Sequence, residues 1–312
     1  MVNELLVGGA MLHLLAGLVL ATLVHQDASL RGSDRAAELG LAAFVFGLVF
    51  AAGYYLRSER IGSLPADAER RRASAVDRGW DLLRSLLLIV AAFLTATAVV
   101  GLGASVLVGV GVLVSGTLEY RVVGAVLQFV GFGVAVAGYL AVTGDWDLVE
   151  VRRPTLRHLG LIVVGVVALV GAQLVIARLL TALSIEVAQN QVVVTGQQDP
   201  RYFLYMIPVA ILLVGPFEEL VFRGGVQGIL RRTWGPSVAI TLSSVLFGLV
   251  HWVALTGAGG SRIPYVTVAA TLGLVLGYLY ERSRNLLVPA VVHGLYNTVL
   301  FGAQYLSATG MA

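Results

Sequence analysis

An all-α, polytopic transmembrane helical bundle is the fold class this sequence predicts, and three observations carry that prediction. Hydrophobic residues fill 58% of the 312 positions and charged residues only 12%, with a mean hydropathy of +0.87, a balance that soluble globular domains do not show. The apolar residues fall into runs of about 20 or more, the length a helix needs to cross roughly 30 Å of hydrocarbon. The breaks between the runs are short and carry arginine.

Runs near residues 5–24, 38–56, 82–114, 122–143, 159–183, 202–230, 236–255, 264–281 and 286–305 give about nine spans. The first has no basic residue before it and no clear small-residue cleavage site after it, so it reads as a retained span rather than a signal peptide. The third is long for one crossing and contains Gly101, Gly103, Gly109 and Gly111, which leaves one tilted helix or two short ones. Arginine placement favours one. With nine spans, the breaks at 57–81 (with Arg84 just beyond), 144–158, 231–235 and 281–285 share a side and hold most of the arginines, the Arg70-Arg71-Arg72 cluster included, while Arg31, Arg35, Arg121, Arg201 and Arg262 fall on the other. The positive-inside rule then predicts a multi-pass protein of a prokaryotic plasma membrane with a cytoplasmic N-terminus and an external C-terminus. We divide the chain into an N-terminal membrane region, 1–158, of about four spans with no chemical constellation, and a C-terminal membrane region, 159–312.

Cysteine is absent, which removes disulfides, thiolate metal sites and cysteine nucleophiles. Any chemistry must use oxygen and imidazole. The formal charge of +3 does not point to nucleic acid, because in a membrane protein arginine is read by its position along the chain.

Two arginines lie inside apolar runs. Arg178 sits near a helix end, where a long side chain snorkels to the interface. Arg223 shares its run with Glu218 and Glu219, and three ionisable groups within six residues of a membrane helix are costly unless they pair or line a polar cavity. Glu219 and Arg223 stand four apart and so share a helical face as an ion pair, leaving Glu218 rotated by about 100° and free for another task. Pro216, lacking an N–H, breaks the backbone bond to the Leu212 carbonyl and opens the helix just before the carboxylates. Phe247 with His251, and His293 with Asn297, are further four-residue pairs on later spans. His13, His25 and His158 read as packing or interfacial residues. One acidic helix and two histidine helices in spans otherwise almost free of strong polar groups predict a shared cavity. A carboxylate with imidazoles there can activate water or bind a metal, and an imidazole with an amide can hydrogen-bond a developing oxyanion.

The ordered motifs Glu218-Glu219-x-x-x-Arg223, Phe247-x-x-x-His251 and His293-x-x-x-Asn297 resemble those of the CPBP family of intramembrane proteases, which includes CAAX prenyl proteases and bacteriocin-processing or immunity proteins. The resemblance covers about residues 202–305, with all three motifs unsubstituted. It implies a helical core with a cavity on the cytoplasmic side. By that resemblance Glu218 is the general base for the attacking water, His251 helps to hold the water, His293 and Asn297 stabilise the oxyanion, and Glu219 with Arg223 is the supporting ion pair. The implied substrate is a membrane-associated peptide or protein, with a lipidated end among the candidates.

No cofactor is firmly implied. Zn²⁺ held by Glu218, His251 and His293 would have the usual number of protein ligands, but the His-Glu-x-x-His segment of the commonest zinc proteases is missing, so a metal-free water is the favoured form. Serine and aspartyl types fit worse, since Ser243 and Ser244 lack a family-like glycine context and Asp145 and Asp147 lie in a break. Intramembrane Glu and His also mark transporters, and two histidines can ligate haem. A family member that binds partners without cutting them stays open as well. Proteolysis needs Glu218, and haem ligation does not.

Overall fold

The computed structural model describes residues 31–57, 66–256 and 261–311, together with isolated positions between 17 and 29. The chain divides into two compact units, Met1–Trp80 and Asp81–Ala312. In the first, helix α1 (Ala36–Arg57) is broken at Gly47, whose φ of 62° no helix accommodates. Its small inward residues Ala36, Ala43 and Ala51 pack with Val24, Ala28 and Tyr54. Asp27 accepts hydrogen bonds from Arg31 Nε at 2.7 Å and from the Tyr54 hydroxyl at 2.8 Å.

The second unit is the bundle that holds the polar motifs. Its helices are the part of α2 (Ala66–Gly109) from Asp81 onward, α3 (Leu118–Thr143), α4 (Leu156–Ala182), the short α5 (Gln191–Gln198), α6 (Arg201–Trp234), α7 (Pro236–Val250, extended by a 3₁₀ turn to Ala254), α8 (Arg262–Ser283) and α9 (Leu287–Ala308). Caps fix several ends: Thr117 accepts from Tyr120 N, Thr155 and His158 form a reciprocal capping box, and Gly144 closes α3 in the left-handed conformation. Strands β1 (Gln189–Asn190) and β2 (Leu255–Thr256) pair antiparallel across one end.

Among the described residues six helices are long and apolar enough to cross a membrane, not nine: Asp77–Gly109, Leu118–Thr143, Leu156–Ala182, Arg201–Trp234, Pro236–Ala254 and Arg262–Ser283. The expected first span, 5–24, falls outside the described residues apart from a few positions. The expected second fails because the Gly47 break leaves only the short apolar helix Ala36–Gly47. The expected last is present as α9, at 22 residues and without a charged side chain, but His293, Asn297 and Gln304 dilute its apolar character. The long run 82–114 is one continuous helix to Gly109.

Side chains face outward in the manner of a protein dissolved in lipid. On α4 the exposed positions include Leu159, Val163, Val164, Val167, Leu174 and Val175, while His158, Gly165 and Leu169 are buried. Such a face is a liability in water and the solvent-matched surface in hydrocarbon. Inside, Leu169 packs with Leu272, Leu276, Leu279, Val288, Val292 and Tyr296 to join α4, α8 and α9.

Charged loops clamp one end of this unit. Arg232 reaches Asp145 at 2.9 Å and Asp147 at 3.1 Å, Arg231 reaches Glu281 at 2.9 Å, and Arg284 pairs with Glu150. Asn285 accepts from Arg152 N at 3.1 Å and donates to Arg152 O at 2.9 Å. Partial burial works against the charge of Asp145, but the hydrogen bond and charge of Arg232 outweigh it and hold the carboxyl below the usual carboxylate range. Because the folded value is lowered, this contribution is full at neutral pH and is lost as the pH falls from about 4 through that folded value.

Helices α6 and α9 approach through glycine. A Cβ on Gly215 would lie 2.3 Å from Ala290 O and 2.9 Å from Gly294 N, whereas one on Gly302 would meet nothing within 4 Å. The obstacles are backbone atoms, which cannot rotate away. Gly215→Ala is therefore expected to cost about 1–3 kcal/mol by overpacking and Gly302→Ala close to nothing. Thermal melting of the two purified variants in detergent checks this, and equal midpoints would contradict the α6–α9 contact.

Candidate active site

The site starts from the irregular helix α6. Pro208 and Pro216 each remove a backbone donor, and the chain responds with two π-helical stretches, Ala210–Val214 and Leu220–Gln227, on either side of the regular turn Gly215–Glu219. The opening expected at Pro216 is thus present as wide i→i+5 turns, a form found mostly at functional positions. These turns aim Glu218, Glu219, Arg223 and Gln227 into the bundle.

Glu219 and Arg223 are fully buried, and Arg223 Nε lies 3.1 Å from Glu219 Oε2. Arg223 Nη2 donates to the Gly273 carbonyl on α8 at 3.1 Å, and its guanidinium sits 4.8 Å from the centre of the Phe247 ring on α7. The other oxygen of Glu219 lies 2.9 Å from His293 Nδ1 on α9. That arrangement makes Nδ1–H the donor and turns Nε2 toward Glu218, whose Oε2 is 3.8 Å away. The gap exceeds a direct hydrogen bond and suits a bridging molecule. Glu218 Oε2 has no hydrogen-bond partner within the protein.

Phe247 is the spacer of the cluster, touching His251 at 4.6 Å, Phe222 at 5.1 Å and His293 at 5.9 Å between ring centres. His251 Nδ1 lies 2.7 Å from the Phe247 carbonyl, so this nitrogen donates and Nε2 keeps its lone pair. Asn297 is half-buried one turn beyond His293 on the same helical face. The structure thus joins Glu218, Glu219, Arg223, Phe247, His251 and His293 through direct contacts, and sets Asn297 beside them along α9.

Three contacts were not foreseen from sequence. Glu219 serves His293 as well as Arg223. Gln227, fully buried, donates to the Gly277 carbonyl at 3.1 Å; its place four residues after Arg223 was the available signal. Tyr265 stacks near His251 with 6.3 Å between ring centres, and its hydroxyl accepts from Asn190 at 2.9 Å; nothing local in sequence marks it. Of the alternative zinc ligands Glu218, His251 and His293, both histidines use Nδ1 in hydrogen bonds and keep Nε2, while among the described residues no group of three His, Asp or Glu stands close enough together to hold a metal ion.

A multi-pass helical membrane protein with carboxylates and imidazoles converging inside its bundle is the class that fold and site define. Residues 200–299 match the family model "Type II CAAX prenyl endopeptidase Rce1-like". A 96-residue stretch is 29% identical to "Putative membrane peptidase YdiL" of Bacillus subtilis (strain 168), covering 30% of this chain and 36% of that relative, so the chain spans about a third of the relative it matches. No solved structure matches it. Both matches bear out the CPBP-family resemblance of this segment.

The buried pair yields a prediction of its own. Glu219→Ala leaves Arg223 charged and unpaired in a low-dielectric interior and is expected to cost about 3–5 kcal/mol. It should appear as a large loss of yield and melting temperature, and an unchanged melt would remove Glu219 from its structural role.

Proposed function

We propose that this protein is an intramembrane endopeptidase that hydrolyses a peptide bond in a membrane-associated peptide or protein. The observation that carries the reading is the pairing of Glu218, half-buried and with one enclosed, unpartnered carboxylate oxygen, with His293 Nε2 at 3.8 Å. The 200–299 match to a CAAX prenyl endopeptidase family model and the peptidase relative support the class. A lipidated chain end belongs to the same proposed range of substrates.

In this mechanism a water between Glu218 and the scissile carbonyl gives its proton to Glu218 as its oxygen bonds to the carbonyl carbon. The negative charge that develops on the carbonyl oxygen is stabilised by the Asn297 amide and by Nε2–H of a doubly protonated His293, whose Nδ1–H stays on Glu219, with His251 Nε2 helping to position the water. Collapse of the tetrahedral intermediate breaks the C–N bond, and the proton on Glu218 passes to the leaving amine. Glu219 and Arg223 hold the His293 ring. Glu218 is the group that activates the water in this scheme. The membrane is the plasma membrane, with the arginine-rich end of the bundle in the cytoplasm and the C-terminus outside.

Cleavage of membrane-anchored fluorogenic peptides by purified protein in detergent tests the reading. Glu218→Ala is expected to abolish activity at unchanged folding, and Asn297→Ala to lower kcat by about 10² to 10³, the usual loss for one oxyanion donor. Full activity in Glu218→Ala sinks the mechanism. A zinc chelator that stops wild-type turnover would return the activation of water to a metal, and a folded protein that cuts no peptide would favour partner binding or transport.

A further inference from the structure

We propose that the second unit carries a binding site for one anionic glycerophospholipid at its arginine-rich end, with the phosphate held by Arg157 on α4 and Arg282 on α8 and an acyl chain lying along the outer face that these two helices share. The site is separate from the carboxylate–imidazole cluster and does not rest on the peptidase reading.

Charge at that end does not balance. Five acids of the second unit lie there, and each is engaged by an arginine: Asp81 by Arg84, Asp145 and Asp147 by Arg232, Glu150 by Arg152 and Arg284, and Glu281 by Arg231 and Arg284. Eight arginines stand against them, so among the described residues three, Arg153, Arg157 and Arg282, are left without a carboxylate. A surplus of arginine alone is what orientation in the membrane requires. Its placement is what makes a site.

The three are gathered at one corner. Arg157 Nη2 donates to the Arg282 carbonyl at 3.2 Å, which brings the start of α4 against the end of α8. Arg153 belongs to the same corner, because its neighbour Arg152 exchanges two hydrogen bonds between its backbone and the Asn285 side chain, three residues after Arg282. All three are exposed. Like charges so placed repel one another, and a phosphate, which guanidinium groups grip through a planar fork of donors, relieves that repulsion.

Beyond the arginines the surface turns apolar. Helices α4 and α8 run antiparallel and pack through Gly165, where a Cβ would lie 2.7 Å from a Leu279 methyl, and through Leu169 against Leu272 and Leu276. In an antiparallel pair the residues just before two facing positions are turned about 100° to the same side of the seam. Val164 and Tyr278 therefore flank it together, and both are exposed. Arg157, seven residues before Val164, and Arg282, four after Tyr278, continue these two stripes to the end of the bundle. Between Arg157 and Val164, Gly160 leaves the surface open, since a Cβ there would meet nothing within 4 Å; on α8, Leu274 extends the apolar stripe. A soluble phosphate would use only the guanidinium groups. A phospholipid uses both parts, with its phosphate at Arg157 and Arg282, its glycerol level beside the interfacial Tyr278 and its chain over Gly160, Val164 and Leu274.

Native mass spectrometry of the purified protein in a neutral detergent, titrated with phosphatidylglycerol, tests the site. Wild type is expected to take up one phosphatidylglycerol in preference to phosphatidylcholine. Arg157→Gln and Arg282→Gln are each expected to weaken that binding about 5-fold, the loss expected for one arginine at an anionic lipid surface, and the two together about 25-fold. Arg178→Gln, which removes an exposed arginine at the other end of α4, should leave it unchanged, and Arg157→Lys with Arg282→Lys should keep most of it. Melting of each variant without added lipid confirms the fold. Equal binding by wild type and the double glutamine variant, an equal loss in Arg178→Gln, or a loss in the double lysine variant as large as in the glutamine one overturns the proposal. Glycerol 1-phosphate binding as tightly as phosphatidylglycerol also overturns it, by assigning the arginines to a soluble phosphate.

Discussion

One buried carboxylate, Glu219, sets the arrangement of four helices. Inside a low-dielectric bundle a carboxylate and a guanidinium are tolerable only if each is paired and further hydrogen-bonded. Glu219 meets that condition by dividing its two oxygens between Arg223 on its own helix and His293 on α9. Arg223 extends the constraint to the Gly273 carbonyl on α8 and the Phe247 ring on α7. The helices cannot slide past one another without stranding a charge, so the ring of His293 is held by the same contacts that hold the bundle together.

Two adjacent carboxylates thereby acquire different duties. Glu219 is fully buried and its pairing is structural. Glu218, one residue earlier and turned by about 100°, keeps an oxygen that no protein group claims. The π-helical turns on both sides of Gly215–Glu219 aim both carboxylates inward, and the glycine contact between Gly215 and Gly294 lets α9 come close enough for His293 to reach them. Irregular backbone is tolerated at membrane depth only where protein or water satisfies it, and here it is enclosed by α3, α7, α8 and α9.

Much of this was legible in the chain. Hydropathy located the helices, and four-residue spacing placed Glu219 with Arg223 and Phe247 with His251, because helical periodicity is a local property. Legibility ended where the decisive fact was not local. The Glu219–His293 bond joins residues 74 positions apart, and the Tyr265–Asn190 bond joins residues 75 apart; no spacing rule reaches that far. The span count failed for a related reason. A helix that carries polar groups, as α9 does with His293 and Asn297, loses the apolar signal by which spans are counted, and Gly47 breaks a run whose composition alone reads as continuous.

The two ends of the second unit also differ in kind. At the arginine-rich end, ion pairs and the Asn285 side chain tie the connections together, and the lowered Asp145 carboxyl keeps its bond to Arg232 charged across the neutral range. At the other end, the connections are held by two short strands, the Asn190–Tyr265 bond and Arg121 donating to Thr195 and Gln198, with Arg201 paired locally to Asp199. Charge-assisted contacts are roughly twice as strong as neutral ones, and the carboxylate–arginine pairs that join one connection to another gather at the arginine-rich end. The distribution of charge therefore makes the two ends unequal, with the more densely ion-paired one forming the base beneath the fully buried Arg223 and Gln227.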